Sequence, residues 1–506
     1  MFGQVWKGEC RGSEVAVKIP NRASLTPLQM QAFQTEMEIM KKIQHPHCCL
    51  FMGAHVDDIK RSLQIVTELC AGDMNKLILE DKRQFPLSQR LTWALQSARG
   101  LAWLHSLLPS PILHRDLKLA NLLYDAEMNV KVADFGLAQV TEGGREVWDK
   151  NPRGSLLYMA PEVYLLTHPI TPKTDVHSFA MVLWEFCTRK EVYEEYFEPA
   201  KFVNDAFVGG KRPPIDANWP SRLQELFRKM WAPSPDERPD MKTVVGELAA
   251  IITEVKRQER VAFIRAKIPD AVANAFWTNH YLDLNTVGFD QFVQDLYKDL
   301  GTVLPQLDIR RGGPFTDDER KLFLLREFVT IDKEHTTVDI TRFGQVVQWI
   351  GGLEIPAPAD NSMLDRFVEL IKHPWFHGLV DASQAENLTR NKPTGSYLVR
   401  FSLRTPGGYT ITVNQTRSGV NHLIVYNTPG KGFSMDNVHF WPSVPHLVAA
   451  LASSFELQQP CSDNAWQFLW QGEGCQVGGY NADYADQQFE TEEGFLQGLA
   501  PGSSGQ

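Results

Sequence analysis

Four polar side chains in one short region could do chemistry together: Asp116, Lys118 and Asn121, followed by Asp134, 18 residues after Asp116. The first three lie in His114-Arg115-Asp116-Leu117-Lys118-Leu119-Ala120-Asn121, and the fourth opens Asp134-Phe135-Gly136. One carboxylate can receive the proton of an attacking hydroxyl. An amide oxygen and a second carboxylate can hold a divalent cation, and a lysine can offset charge on a phosphate in transfer. The set suits phosphoryl transfer. A blander alternative makes His114-Arg115-Asp116 a loop salt bridge and Asp134-Phe135-Gly136 an ordinary turn. Two separate motifs in one order argue against it.

These residues need elements to hold them. Leu122, Leu123, Val130 and Val132 lie between the two polar groups and predict short apolar strands, with each group on a tight loop. Leu91 to His105 predicts an amphipathic helix carrying Leu91, Leu95, Ala98, Leu101, Ala102 and Leu104, which delivers the chain to the first loop. Upstream, Val15-Ala16-Val17-Lys18 alternates like a strand and ends in a lysine. Phe33, Met37, Met40 and Ile43 recur at helical spacing, and Leu63 to Cys70 reads as a further strand.

The order H-R-D-L-x-x-x-N and then D-F-G resembles the catalytic and metal-binding loops of the protein kinases. That resemblance implies a bilobal kinase fold using ATP and Mg²⁺. It makes Asp116 the catalytic base, Lys118 a phosphate-contacting lysine, and Asn121 and Asp134 the Mg²⁺ ligands. Lys18 becomes the strand lysine that holds the α- and β-phosphates. Glu36 becomes its partner on the following helix; Glu38, two residues on, faces elsewhere and is the competitor. Thr67 takes the gatekeeper place, and the Glu68 and Cys70 backbone that of the adenine contacts. Gly3 matches the third glycine of the glycine-rich loop, with Val5 and Ala16 among the nucleotide contacts. The first two glycines and the strand before them are absent, so the expectation is a fragment or a displaced start; weakened nucleotide binding is the alternative.

The same resemblance carries regulation and substrate class. Lys118 in Asp-Leu-Lys, and Ser155 seven residues before Glu162, follow the serine/threonine pattern. Thr141, Ser155 and Tyr158 lie in a polar activation segment, with Arg115 as the expected partner of an added phosphate. Asp175 resembles the aspartate that braces the catalytic loop, and Arg238 the arginine that pairs with Glu162. Phe51-Met52-Gly53 and Gly154 to Glu162 resemble the tyrosine-kinase-like group, whose members mostly phosphorylate Ser or Thr.

Composition narrows the rest. The chain has 506 residues, 43% apolar and 22% charged, enough for two to four domains. A net charge of −10 argues against a general nucleic-acid binder. Seven cysteines without a C-x-x-C pair fit reduced intracellular thiols, not a disulfide framework. Met1-Phe2-Gly3 opens no signal peptide, Phe2 stands where myristoylation needs glycine, and no apolar run is long enough to span a membrane. A cytoplasmic protein, recruited to membranes through its partners, is expected.

Residues 258–372 carry a helical apolar pattern too long for a bare linker. Val287 to Phe292 and Val338 to Phe343 each resemble the short strand and exit helix of an EF-hand. Counted from Asp332, Thr337 stands where Gly is required and Phe343 where Glu is required, so a calcium-free helical connector is expected. It is similar to the linkers ahead of the Src-homology-2 domains in Cbl and STAT proteins. His373 to Gly378, Gly395 to Ser402 and the strand-like runs after them resemble such a domain, which captures phosphotyrosine. Arg400 stands in an apolar strand, an expensive place for a charge without an anion. A bidentate guanidinium–phosphate bond would relieve it. Ser402 and His422 match secondary phosphotyrosine contacts. Ala382 and Ile424 depart from the pattern, leaving Arg404 as the nearest substitute cation.

The expected architecture is therefore α+β and multidomain. A kinase domain (1–257) lacks its first strand, and a helical connector spans 258–372. A Src-homology-2 fold, a central antiparallel sheet flanked by two helices, follows at 373–460. The tail at 461–506 is expected to be disordered from about residue 471, with Tyr480 and Tyr484 as solvated tyrosines or ligands for the chain's own recognition domain. This order resembles the Shk-type kinases. It implies a Ser/Thr kinase, with Tyr as a further acceptor left open, directed to protein substrates by phosphotyrosine partners. The rival is an idle scaffold that only binds phosphotyrosine.

Overall fold

Valines alternate with other residues from Val15 to Val17, and this stretch lies in β2 (Ser13–Pro20), paired antiparallel to β1 (Gly3–Cys10). The computed structural model describes residues 3–20, 27–57, 62–141, 147–148, 152–305, 315–332, 334–353, 362–415, 419–428 and 431–461, with Trp466 and Leu469. Met1, Phe2 and the tail tyrosines lie outside them. The chain divides into two units, Met1–Glu259 and Arg260–Gln506.

In the first unit, α1 (Pro27–Met40), β3 (Phe51–Asp57) and β4 (Ser62–Glu68) complete a sheet of order β1-β2-β4-β3. Phe33, Ile39, Met40 and Ile43 are buried; Met37, expected in that stripe, is half-buried, and Ile39 takes its place. The phase of α1 also buries Glu36. Next come β5 (Gly72–Asp73), α2 (Leu87–Ser106), β6 (Ile112–Leu113), β7 (Leu122–Tyr124), β8 (Val130–Val132) and β9 (Gln139–Val140). The short strands form two small sheets, β5-β7-β8 and β6-β9, from which both polar loops emerge.

Helices α3 (Pro161–Leu165), α4 (Pro172–Thr188), α5 (Pro199–Phe202), α6 (Ser221–Met230) and α7 (Met241–Lys267) follow. Helix α4 is buried on every side from Thr174 to Cys187, which marks a central core helix. The Thr171 hydroxyl caps it by accepting the Lys173 N–H, and Pro172 suits its first turn.

One group in α4 gives the fold a pH dependence. Glu185 Oε1 accepts hydrogen bonds from the Tyr158 hydroxyl (2.8 Å) and the Val192 N–H (3.0 Å). Burial nonetheless pushes its pKa up to about 7. The folded state therefore holds this proton more tightly than the unfolded chain. The stability it contributes is complete below the ordinary glutamate value and is lost as pH rises through about 7. Glu185→Gln should flatten the fall in thermal midpoint over that window, by about 2–3 kcal/mol in unfolding free energy. Identical pH profiles for the two proteins would contradict this.

In the second unit, α8 (Ala271–Tyr281), β10 (Thr286–Gly288), α9 (Phe289–Leu300), α10 (Asp317–Val329), β11 (Thr337–Asp339), α11 (Ile340–Ile350) and α12 (Met363–Lys372) come first. The two EF-hand-like pieces meet through the β10–β11 pair, Val287 opposite Val338. The Asp332 carboxylate accepts the Thr336 and Thr337 N–H groups (2.9 and 2.6 Å), and Phe343 is buried against Trp277 and Phe292. Capping boxes start α10 (Thr316 with Glu319) and α12 (Ser362 with Asp365).

The remaining elements are α13 (Ala382–Arg390), β12 (Ser396–Phe401), β13 (Tyr409–Gln415), β14 (Gly419–Thr428), β15 (Gly432–Ser434), α14 (Val444–Leu451) and β16 (Gln459–Pro460), in a sheet ordered β15-β14-β13-β12-β16. The helices before it and the sheet share a single core. Phe401 of β12 stacks on Trp349 of α11, with ring centres 4.2 Å apart, and also meets Phe328 of α10 edge-on at 5.7 Å.

Candidate functional site

Three charged groups from distant parts of the first unit meet at Lys18. Its Nζ donates to Glu36 Oε1 (2.7 Å) and to Asp134 Oδ1 (2.9 Å), joining β2, α1 and the Asp-Phe-Gly loop. Burial works against the lysine charge, but the two carboxylates outweigh it and raise its pKa above the ordinary value. For Asp134 burial is likewise outweighed, here by Lys18, and its pKa falls. Burial dominates at Glu36 and raises its pKa. Glu38 is exposed and bonds Lys41.

The second cluster surrounds Asp116. Its Oδ1 accepts the Ser155 N–H (2.9 Å) and hydroxyl (2.8 Å), and its Oδ2 accepts Lys118 Nζ (3.0 Å) and Asn121 Nδ2 (3.1 Å). Lys118 Nζ also reaches Ser155 Oγ at 3.0 Å. Burial would raise the Asp116 pKa, but the bond and charge of Lys118, then Ser155, hold it below the carboxylate norm. The group is therefore an ionised acceptor at neutral pH. Gly154 has φ +119°, and a Cβ there would lie 2.8 Å from the Arg115 carbonyl, so glycine lets Ser155 approach Asp116.

Asp175 of α4 fixes this loop from below. Its carboxylate accepts the N–H groups of His114 (2.8 Å) and Arg115 (2.9 Å) and bonds His105 Nε2 (2.9 Å). Arg115, with φ +68°, donates to Gln139 Oε1 (2.8 Å). Thr141 donates through its N–H and hydroxyl to the Pro111 carbonyl (2.9 and 3.1 Å). Buried Glu162 and Arg238 form a bidentate pair (2.6 and 2.9 Å).

The remaining sequence-predicted residues lie in or just beyond the four-stranded sheet. Val5 pairs with Lys18, Gly3 with Pro20, and Ala16 with Thr67. Val5 is largely exposed. The Thr67 hydroxyl donates to the Glu68 carbonyl (3.3 Å), while the Glu68 carboxylate accepts Leu50 N–H (2.7 Å) and Lys131 Nζ (3.0 Å). Cys70 lies two residues past β4. Asn121 and Asp134 offer an amide oxygen and an ionised carboxylate, hard donors that suit Mg²⁺.

In the second unit, Arg400 is buried in β12, and its Nε has no hydrogen-bond partner among the described residues. Its Nη1 makes a long 3.5 Å contact with the Phe401 carbonyl. Burial lowers its pKa; nearby Asp381 opposes this, and nearby Arg404 adds to it. Cross-strand register puts Arg400 opposite Thr410, and Thr412 opposite His422, on one face of the sheet. His422 bonds Thr412 Oγ1 (2.9 Å) and Glu386 Oε1 (3.2 Å) of α13. Buried Ser402 accepts the Thr405 N–H (3.1 Å) at the start of the following loop. Arg404 is exposed on that loop.

A protein tyrosine and serine/threonine kinase family model matches residues 1–248, and an SH2 domain model matches residues 375–451. The dual specificity protein kinase shkA of Dictyostelium discoideum is 34% identical over 473 residues, 91% of this chain and 86% of its own length. Another, shkC of the same organism, is 33% identical over 442 residues, 86% of this chain and 84% of its own. The chain belongs to the Shk-type protein kinases with a carboxy-terminal SH2 domain. The kinase part is also similar to the serine/threonine-protein kinase CTR1 of Arabidopsis thaliana, 35% identical over 254 residues, 50% of this chain and 30% of that one.

ATP is the substrate such a kinase domain implies, protein hydroxyls its acceptors, and phosphotyrosine proteins the SH2 partners. Among the described residues of this kinase, no helix is long and apolar enough to cross a membrane. Two features escaped the sequence reading. Glu386, a carboxylate beside the His422 ring, had no signal beyond its place on a short helix. The Lys131–Glu68 pair joins β8 to the end of β4, and only the fold brings it together.

Proposed function

We propose that this kinase transfers the γ-phosphate of ATP to Ser and Thr hydroxyls of proteins, and that its SH2 domain directs it to phosphotyrosine partners in the cytoplasm and at membranes. The observation that carries the transfer is the Asp116 carboxylate, ionised and fixed by Ser155, Lys118 and Asn121. Asp116 accepts the proton of the attacking hydroxyl as its oxygen bonds phosphorus and the bond to the departing ADP oxygen breaks. Lys118 offsets charge on the phosphoryl group in motion, and Lys18, oriented by Glu36, holds the α- and β-phosphates. Asn121 and Asp134 would hold Mg²⁺, which when bound neutralises phosphate charge. The formed Lys18–Glu36 pair argues against an idle scaffold.

Ser and Thr are favoured over Tyr because Lys118 and Ser155, which meet at the base, follow the pattern that the resemblance assigns to serine/threonine kinases. The dual specificity named for shkA and shkC leaves tyrosine as a minor product. Phosphoamino-acid analysis after reaction of the full chain with labelled ATP, Mg²⁺ and a mixed protein acceptor should give mainly phosphoserine and phosphothreonine. Phosphotyrosine as the sole product would refute the assignment.

A further inference from the structure

We infer that the end of α11 seats the loop at residues 402–408, and that Asn427 and the Tyr409 hydroxyl are positioning groups for phosphotyrosine binding. An α-helix leaves its last carbonyls without partners of its own. Helix α11 ends at Ile350, and Gly351 turns the chain there with φ +91°. Side chains from elsewhere take its final carbonyls. Asn427 Nδ2 of β14 donates to the Gln348 carbonyl (2.9 Å), and the Tyr409 hydroxyl of β13 donates to the Trp349 carbonyl. Arg366 of α12 donates to the Ile350 carbonyl (3.1 Å). Asn427 and Tyr409 belong to the recognition sheet, 79 and 60 residues along the chain from the carbonyls they meet.

The pleat of the sheet separates this seat from the anion site. Arg400 lies opposite Thr410, and Thr410 opposite Ile424, so these side chains share one face. Phe401, Tyr409, Val425 and Asn427 alternate with them and share the other face. Helix α11 packs on that second face, with Trp349 stacked on Phe401. Neither Asn427 nor the Tyr409 hydroxyl therefore faces a phosphate bound at Arg400. They act through the loop.

The loop closes on itself. The Ser402 N–H donates to the Gly408 carbonyl, and the Gly408 N–H to the Thr405 carbonyl (both 2.9 Å). Its far end rests on α11: a Cβ at Gly407, where φ is +67°, would lie 3.2 Å from the Gln348 carbonyl oxygen. That carbonyl thus meets the loop and Asn427 together, and Tyr409 is the first residue of β13 after the loop. Arg404 lies on this loop, with buried Arg400 and Ser402 at its root. Order present before binding need not be supplied by the ligand, so a seated loop gives tighter binding. On the phosphotyrosine reading given above, the connector sets affinity without touching the ligand.

In the full chain, Asn427→Ala and Tyr409→Phe should each weaken binding of a phosphotyrosine peptide by about three- to ten-fold, the weight of one hydrogen bond. Tyr409→Phe keeps its ring against Phe401 and Phe433 (centres 5.4 and 5.6 Å apart), so it should fold. Isothermal titration gives the Kd. Hydrogen–deuterium exchange of the unliganded protein should be faster at residues 403–408 in both variants. Unchanged exchange in both would overturn the seat. Faster exchange or a lower melting temperature with an unchanged Kd would overturn the positioning role, because contacts that only stabilise the fold leave affinity alone. The exchange readout needs no ligand, so a parent chain that binds no phosphotyrosine peptide would show the failure of that reading separately.

Discussion

Asp116→Asn is expected to lower phosphoryl transfer by about 10²–10⁴-fold while ATP affinity stays close to that of the parent. The carboxylate accepts hydrogen bonds from Ser155, Lys118 and Asn121 at the centre of this cluster. An amide of the same shape keeps the loop packed but cannot take the proton. The groups assigned to the nucleotide and metal, Lys18, Asn121 and Asp134, are untouched, so binding and chemistry should separate. Initial rates with a protein acceptor, together with titration of an ATP analogue, would measure both. Undiminished turnover in Asp116→Asn would contradict the assignment of Asp116 as the proton acceptor. Lost ATP binding would mean that the substitution disturbed the metal side of the site.

Arg400→Ala should remove phosphotyrosine-peptide binding, a loss of at least about 2 kcal/mol, roughly thirty-fold in Kd. The guanidinium is buried, and its Nε lacks a partner among the described residues, so an anion would satisfy it. Ala382 begins α13 and cannot supply a second guanidinium. Arg404 lies close enough to Arg400 to depress its pKa and is exposed on the loop after Ser402. Arg404→Ala should therefore weaken binding by at least about 1 kcal/mol. Isothermal titration should use the full chain, because the sheet shares its core with the preceding helices through Trp349, Phe328 and Phe401. Unchanged affinity in Arg400→Ala would refute the pocket; unchanged affinity in Arg404→Ala would refute only the substitution of one arginine for another.

Asp116, Asn121 and Asp134 are legible in the sequence because they sit on loops whose spacing is itself chemical. The choice of Glu36 over Glu38 follows from helix phase: one is buried on Lys18, while the other is exposed and bonded within its own helix. Local periodicity also reveals the strands around Arg400. It cannot show which helices pack on which sheet face. The stacking of Trp349 on Phe401, 52 residues apart, depends on long-range closure that no window of sequence contains. The same holds for Glu386 at His422 and for Lys131 at Glu68, where residues of unremarkable type meet only in the fold.

On the proposed reading, one chain joins transfer at Asp116 to recognition at Arg400. The most direct measurement compares two acceptor peptides, identical except that one carries a phosphotyrosine and the other a tyrosine, linked flexibly to the same serine site. Tethering through the SH2 domain raises the effective acceptor concentration, so the phosphotyrosine peptide should have a KM lower by at least about ten-fold with kcat little changed. That advantage should disappear in Arg400→Ala. Equal KM values for the two peptides in the parent kinase would contradict the account.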